Sequence, residues 1–134
     1  MTRTIIIGAP KTGKTTLATQ AAKVGLLVPV YHTDSLIPGR NWADQGDAAF
    51  ELLSRANAEF PDGFVYEGVL AVRALSRWLK TRKDSPCDQL LVLTVPRVAQ
   101  TPEQQRLGKA ILTMFQPLIP GLRALGVEIE WDRS

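Results

Sequence analysis

One cysteine, Cys87, and one histidine, His32, occur in 134 residues. A lone thiol excludes an intramolecular disulfide, and one Cys with one His excludes a Cys/His structural zinc site. Cys87 therefore reads as an inert thiol. Long apolar runs are also missing: none approaches the roughly 20 residues that cross a bilayer. The sequence opens on a strand-like run rather than a charged and apolar leader, and together these features predict a cytoplasmic protein with no membrane role. The excess of one charge sign is small, since a net charge of +3 with a pI near 9.3 gives only a mild bias toward an anionic partner. No repeat, linker or low-complexity tract divides the chain, and nothing in it calls for an obligate protein partner. With 45% hydrophobic and 22% charged residues, residues 1–134 read as one ordinary domain around one core.

What is present is concentrated near the start. Thr4 to Ile7 is a β-branched run of the kind buried on both faces of a parallel sheet. Directly after it come Gly8, Ala9, Pro10, Lys11, Thr12, Gly13, Lys14, Thr15 and Thr16. The spacing G-x-x-x-x-G-K-T is that of a phosphate-binding loop: glycines let backbone N–H groups wrap the phosphates, Lys14 reaches the β- and γ-phosphates, and Thr15 is placed to hold Mg²⁺. A helix expected from Lys14 to Gly25 would point its N-terminal N–H groups at the same anion. The cofactors implied are ATP and Mg²⁺.

Further along, Leu26 to His32 reads as a second strand, and Pro29 places it near a sheet margin. Asp34 to Gly46, rich in Pro, Gly, Asn and Asp, reads as a substrate loop at the carboxyl edge of the sheet, carrying Arg40 and Trp42. Asp47 is the expected cap of a helix to about Phe60, with Phe50, Leu53, Ala56 and Asn57 on its apolar face. Gly63 to Glu67 is a third strand ending in an acid, and Leu70 to about Lys80 a helix with Leu75, Trp78 and Leu79 inward. Gln89 to Val95 is the most strand-like run. Thr101-Pro102-Glu103-Gln104 opens a helix with Thr as N-cap and Pro at N1. Its expected buried face is Leu107, Ala110, Ile111 and Met114, and after Pro117 and Pro120 a second segment reaches Leu125. Val127 to Trp131 closes as a final strand. Five strands alternating with helices predict an α/β fold of three layers around a parallel sheet.

Two acids fall where such a sheet brings them beside the phosphate loop: Asp34, after strand two, and Glu67, ending strand three. Asp34 is the candidate base for a hydroxyl acceptor, although an Asp after a strand also serves as a simple Asx-turn residue. Glu67 is the candidate for a Mg²⁺-coordinated water or a substrate group, against a strand-end acid bonded to local backbone. Arg97 and Arg106 are candidates for neutralising the transferred phosphate, with Lys109 nearby. Arg73 and Arg77 are placed for substrate on the helix after Glu67. Trp42 could stack on a base, the competing role being to pack its loop. His32 reads as a strand histidine satisfied by backbone, the alternative being that it helps align Asp34.

With these residues in place the chain resembles a compact P-loop kinase of the nucleotide and polynucleotide kinase type. That family's five strands run in the order 2-3-1-4-5, and its polynucleotide members use as general base an aspartate placed as Asp34 is. More narrowly, HTDSLI at 32–37, FVYEGVLAVRALSRWL at 64–79 and QQRLGKAILTMFQPLIPGLRALGVEIE at 104–130 resemble small bacteriophage P-loop kinases of thymine hypermodification. The resemblance implies phosphorylation of the 5-hydroxymethyl group of 5-hydroxymethyluracil within DNA, in host cytoplasm, with Arg73, Arg77, Lys80, Arg82 and Lys83 near the DNA backbone. The same residues would serve a kinase for a free nucleoside, nucleotide or other small-molecule alcohol. A P-loop ATPase switch is disfavoured, because strand three ends in one acid followed by Gly68 rather than an acidic pair.

Overall fold

The structure is a computed structural model that describes residues 2–8, 29–33, 41–94 and 99–131. Its strands are β1 (Arg3–Gly8), β2 (Val30–His32), β3 (Phe64–Glu67), β4 (Gln89–Leu93) and β5 (Glu128–Trp131). They form one sheet in the order β2-β3-β1-β4-β5, parallel throughout. The order and the α/β class are those expected. The three central strands are the apolar ones, and β2, which follows Pro29, lies at a margin.

Period-two alternation sorts the strand residues into two packing groups. Ile5, Ile7, Phe64, Tyr66, Leu90 and Val92 belong to the larger core, while Ile6, Val65 and Leu93 form a smaller one. The larger core is completed by helices α1 (Trp42–Glu59), α2 (Ala71–Thr81), α3 (Pro102–Phe115) and the short α4 (Ile119–Ala124). Helix α2 supplies Leu75 and Trp78, both fully buried. Burying an indole leaves one N–H to satisfy; Trp78 Nε1 donates to the Asp84 carbonyl at 2.7 Å. The Arg82 guanidinium covers the ring at 3.9 Å and is held in turn by Asp84.

Two expectations are corrected. Helix α1 starts five residues before Asp47, because the Asn41 side chain accepts the Asp44 N–H at 2.8 Å and caps the helix there. Trp42 is thus the first residue of a helix rather than part of a loop, and Asp47, inside the helix, pairs with Arg77. On α3 the buried residues are Ile111 and Phe115; Ala110 and Met114 are exposed. The α3 start itself is as expected, a reciprocal capping box in which Gln104 N–H donates to Thr101 Oγ1 at 3.2 Å and Thr101 N–H donates to Gln104 Oε1 at 3.0 Å. Strands β3 and β4 begin or end one or two residues inside the expected runs. Gly126, with φ of 86°, ends α4 where a left-handed residue is needed.

Candidate active site

All five strands being parallel, their carboxyl ends share one edge, and β1 sits at the centre. The chain leaves β1 toward β2 on one side and leaves β3 toward β4 on the other, so the crevice that binds ligands in open α/β sheets opens at the end of β1. The residue there is Gly8, the first of the phosphate-loop motif. Ala9 through Thr16, the expected helix to Gly25, Asp34, Arg40 and Arg97 lie outside the described residues.

Glu67 ends β3, paired in register with Ile6 of β1 on one side and His32 of β2 on the other. It is 1% exposed. Its Oε1 meets His32 Nδ1, a contact that follows from the register, since paired residues of adjacent strands project to the same face. His32 thus engages a carboxylate, which the backbone reading of that histidine missed; the signal was that both residues end strands now seen to be neighbours. A buried carboxylate one strand away from Gly8 is a hard oxygen donor where a magnesium nucleotide would need one. Among the described residues no group of three His, Cys, Asp or Glu converges on a metal site.

Immediately after Glu67 the chain turns. Gly68 has φ of 137°, a region closed to side chains with a Cβ, and this lets the chain enter α2 within three residues. The turn is fastened to β2: the Leu70 N–H donates to Thr33 Oγ1 at 3.3 Å, with Thr33 fully buried. Thr33 precedes Asp34, so one hydrogen bond ties the residue before the candidate base to the segment after Glu67. The tie between α1 and β3 is Tyr66, whose hydroxyl donates to the Ala49 carbonyl at 2.6 Å; burial raises its pKa.

Depressions among the described residues lie at this edge and along α2. One, of about 520 Å³, runs along α2 past Arg73, Arg77 and Lys80 and across to Gly46 and Asp47 of α1. Another, of about 210 Å³, is lined by the turn residues Val69 and Leu70, by Gln45 of α1, by Val72 and Arg73, and by Leu107, Ala110, Ile111 and Met114 of α3. A third, about 360 Å³, lies beyond β4 and is lined by Thr94, Gln100 and, from α3, Lys109. Arg73 is half-buried and borders the first two; desolvation lowers its pKa, without removing the charge of a guanidinium. Arg77 is exposed, paired to Asp47 and stacked over Phe50 at 5.7 Å. Arg106 is exposed on α3, and it is Lys109, one turn on, that lines the depression beyond β4. The structure therefore brings Gly8, Glu67 and the residue before Asp34 to one edge, with Arg73 and Arg77 on a flank.

No family model matches the chain, and no curated protein matches it in sequence. Among solved structures, shikimate kinase from Acinetobacter baumannii in complex with shikimate is similar, with a TM-score of 0.56 at 13% identity. The match covers 100% of this chain and 86% of that one. No helix among the described residues is long and apolar enough to cross a membrane. The chain shares the α/β fold of that shikimate kinase, with its five parallel strands in the order β2-β3-β1-β4-β5.

Proposed function

We propose that residues 1–134 act as one ATP-dependent kinase domain that phosphorylates the 5-hydroxymethyl group of 5-hydroxymethyl-deoxyuridine in DNA. The observation that carries the kinase reading is the placement of Gly8. Gly8, with which the motif G-x-x-x-x-G-K-T begins, ends the central strand at the carboxyl edge, one strand from the buried Glu67, whose following turn is tied to Thr33, the residue before Asp34. The acceptor is supported by the sequence resemblance at 32–37, 64–79 and 104–130 and by the cationic flank of α2.

Magnesium ATP, when bound, supplies the phosphoryl group and shields the charge that spreads during transfer. Lys14 and the backbone of Gly8 to Thr16 would hold the phosphates, and Thr15 with Glu67 would hold the metal. Asp34 accepts the proton of the acceptor hydroxyl as its oxygen bonds to phosphorus and the bond to the ADP oxygen breaks. Arg97 and Arg106 are the candidates for neutralising the transferred group, while Arg40, Trp42, Arg73 and Arg77 hold the acceptor. The products are ADP and a 5-phosphomethyl-deoxyuridine, whose phosphate is a leaving group for later substitution.

A second reading, a kinase for a free small alcohol, is favoured by the likeness to a kinase solved with shikimate. Transfer of labelled γ-phosphate to a panel separates the two: DNA containing 5-hydroxymethyluracil, the same DNA with thymine, a 5′-hydroxyl oligonucleotide, free nucleosides and shikimate. Label on the modified DNA alone supports the first reading; label on a free alcohol alone replaces it with the second. In either case Lys14→Ala abolishes transfer with the fold intact, and Asp34→Asn retains ATP binding but loses transfer. ATP hydrolysis with no labelled acceptor would overturn both.

A further inference from the structure

We infer that the 210 Å³ cavity between the β3–α2 turn and α3 receives the acceptor's base, while the cationic cleft along α2 receives the flanking phosphodiesters; this rests on the DNA reading above. The cavity is walled by apolar side chains: Leu70 and Val72, at 2% and 1% exposure, form its inner side with Ile111, and Met114 stands at its rim. Gln45 and Arg73 are its polar groups. A site of that composition suits a flat ring with a few hydrogen-bonding edges and penalises a polyol, whose hydroxyls would be desolvated without partners.

Size narrows the occupant. Sites for whole drug-sized ligands span about 300–1,000 Å³; 210 Å³ holds one ring-sized group and leaves the sugar and phosphates outside. What lies outside is the larger cleft, which shares Arg73 and Met114 with the cavity. Arg73, Arg77 and Lys80 are spaced to lie along one face of α2, with the carboxylate of Asp47 paired to Arg77. A base seated behind Arg73 therefore has a cationic track for its own strand. The wall residue Leu70 is also the one whose N–H is held by Thr33, so the cavity adjoins the segment that leads to Asp34.

The test measures binding and transfer separately, with a labelled single-stranded oligonucleotide carrying one 5-hydroxymethyluracil, for wild type, Ala110→Trp and Thr113→Ser. Ala110 is exposed at the cavity rim, so a tryptophan there occupies the cavity without entering the core; Thr113 is exposed on the same helix outside the cavity lining. The expected result is a loss of DNA affinity and a rise in KM for DNA of about ten-fold or more in Ala110→Trp, with KM for ATP unchanged and Thr113→Ser like wild type. Met114→Trp fills the cavity from another side and replaces Ala110→Trp should that variant unfold earlier in urea. Asp47→Asn frees Arg77 and is expected to tighten binding and steepen its salt dependence; Arg77→Gln is expected to reduce the slope of log K against log salt by about 0.7. Wild-type KM for DNA in both tryptophan variants would overturn the cavity assignment while leaving the DNA kinase reading standing. Binding that is weakened by the tryptophans, with no transfer in any variant, would sustain the cavity and remove the reaction. No DNA binding by wild type would overturn both.

Discussion

Two glycines with positive φ make contrasting predictions that probe the site turn directly. Gly126, at φ 86° after α4, lies near the left-handed helical region, and a Cβ built there meets nothing within 4 Å. Asn tolerates that region better than Ala, so Gly126→Asn should cost little and Gly126→Ala about 1 kcal/mol. Gly68, at φ 137°, lies in a region that Asn enters no more readily than Ala. Either substitution there should cost about 1–3 kcal/mol, or about 3–12 °C in Tm for a chain of this size. Relief of the strain would rotate the Glu67–Leu70 segment, loosening the Thr33 hydrogen bond and displacing the cavity wall. Urea unfolding of all four variants gives the stabilities, and the γ-phosphate assay gives the transfer rates. Gly68 variants should lose transfer by more than their unfolded fraction explains, whereas Gly126 variants should follow wild type. A Gly68→Asn protein as stable and active as wild type would refute the claim that this turn needs glycine and that its shape matters to the site.

Other consequences are more local. Asp88 receives the Arg3 guanidinium at 2.9 Å and its backbone N–H at 2.9 Å, and these hold its pKa below the usual carboxylate range. A depressed carboxylate stabilises above its unfolded pKa, and the contribution vanishes as pH falls through the folded value. Because Asp88 is about half-exposed, Asp88→Asn should cost about 1 kcal/mol or less at pH 7. Urea curves of variant and wild type should converge below pH ~3; a constant gap down to pH 2 would contradict the assignment. Cys87 is fully buried and its thiol pKa is pushed up to about 12 by burial, so a thiol reagent at pH 8 should label it only in urea, and fast labelling of native protein would exclude this packing. Tyr66→Phe leaves the Ala49 carbonyl without its hydroxyl donor, and a loss of about 1 kcal/mol is expected by urea unfolding; no loss would mean that the α1–β3 tie is held by apolar contact alone.

Legibility in the sequence followed the physics of each signal. Ile5, Ile6 and Ile7 declared a strand buried on both faces, and Thr101-Pro102-Glu103-Gln104 declared a helix start, because both signals are local and strong. The start of α1 was obscured by Gly46 and its polar neighbours, which carry low helix propensity. What decided it was the Asn41 cap, and the Cβ position of Gly46 comes within ordinary contact of Arg73, a tertiary relation invisible along the chain. Ala110 and Met114 fit the apolar periodicity of α3, yet they border a cavity instead of filling the core. The strand order came from family resemblance rather than from the residues. The His32–Glu67 contact needs that order, since the two residues are 35 apart in sequence and adjacent only after β2 docks on β3.

The register of β1 sets a timetable for the chain's birth. Arg3 pairs with Phe64, and Thr4 with Gln89, so β1 has no strand partner until some sixty residues after it is made, and its second only after Leu93. At synthesis rates of about 5–20 residues per second, three consecutive isoleucines wait for seconds as an unpaired apolar segment, with the phosphate-loop sequence tethered behind them. The phosphate-loop sequence is thus translated before either strand that flanks β1, and both strand pairs are available only once Leu93 has been made. Loop closures of that span slow folding, and a truncation that removes β4 would strand β1 with one neighbour, leaving the nascent apolar run as the sequence's principal hazard for aggregation.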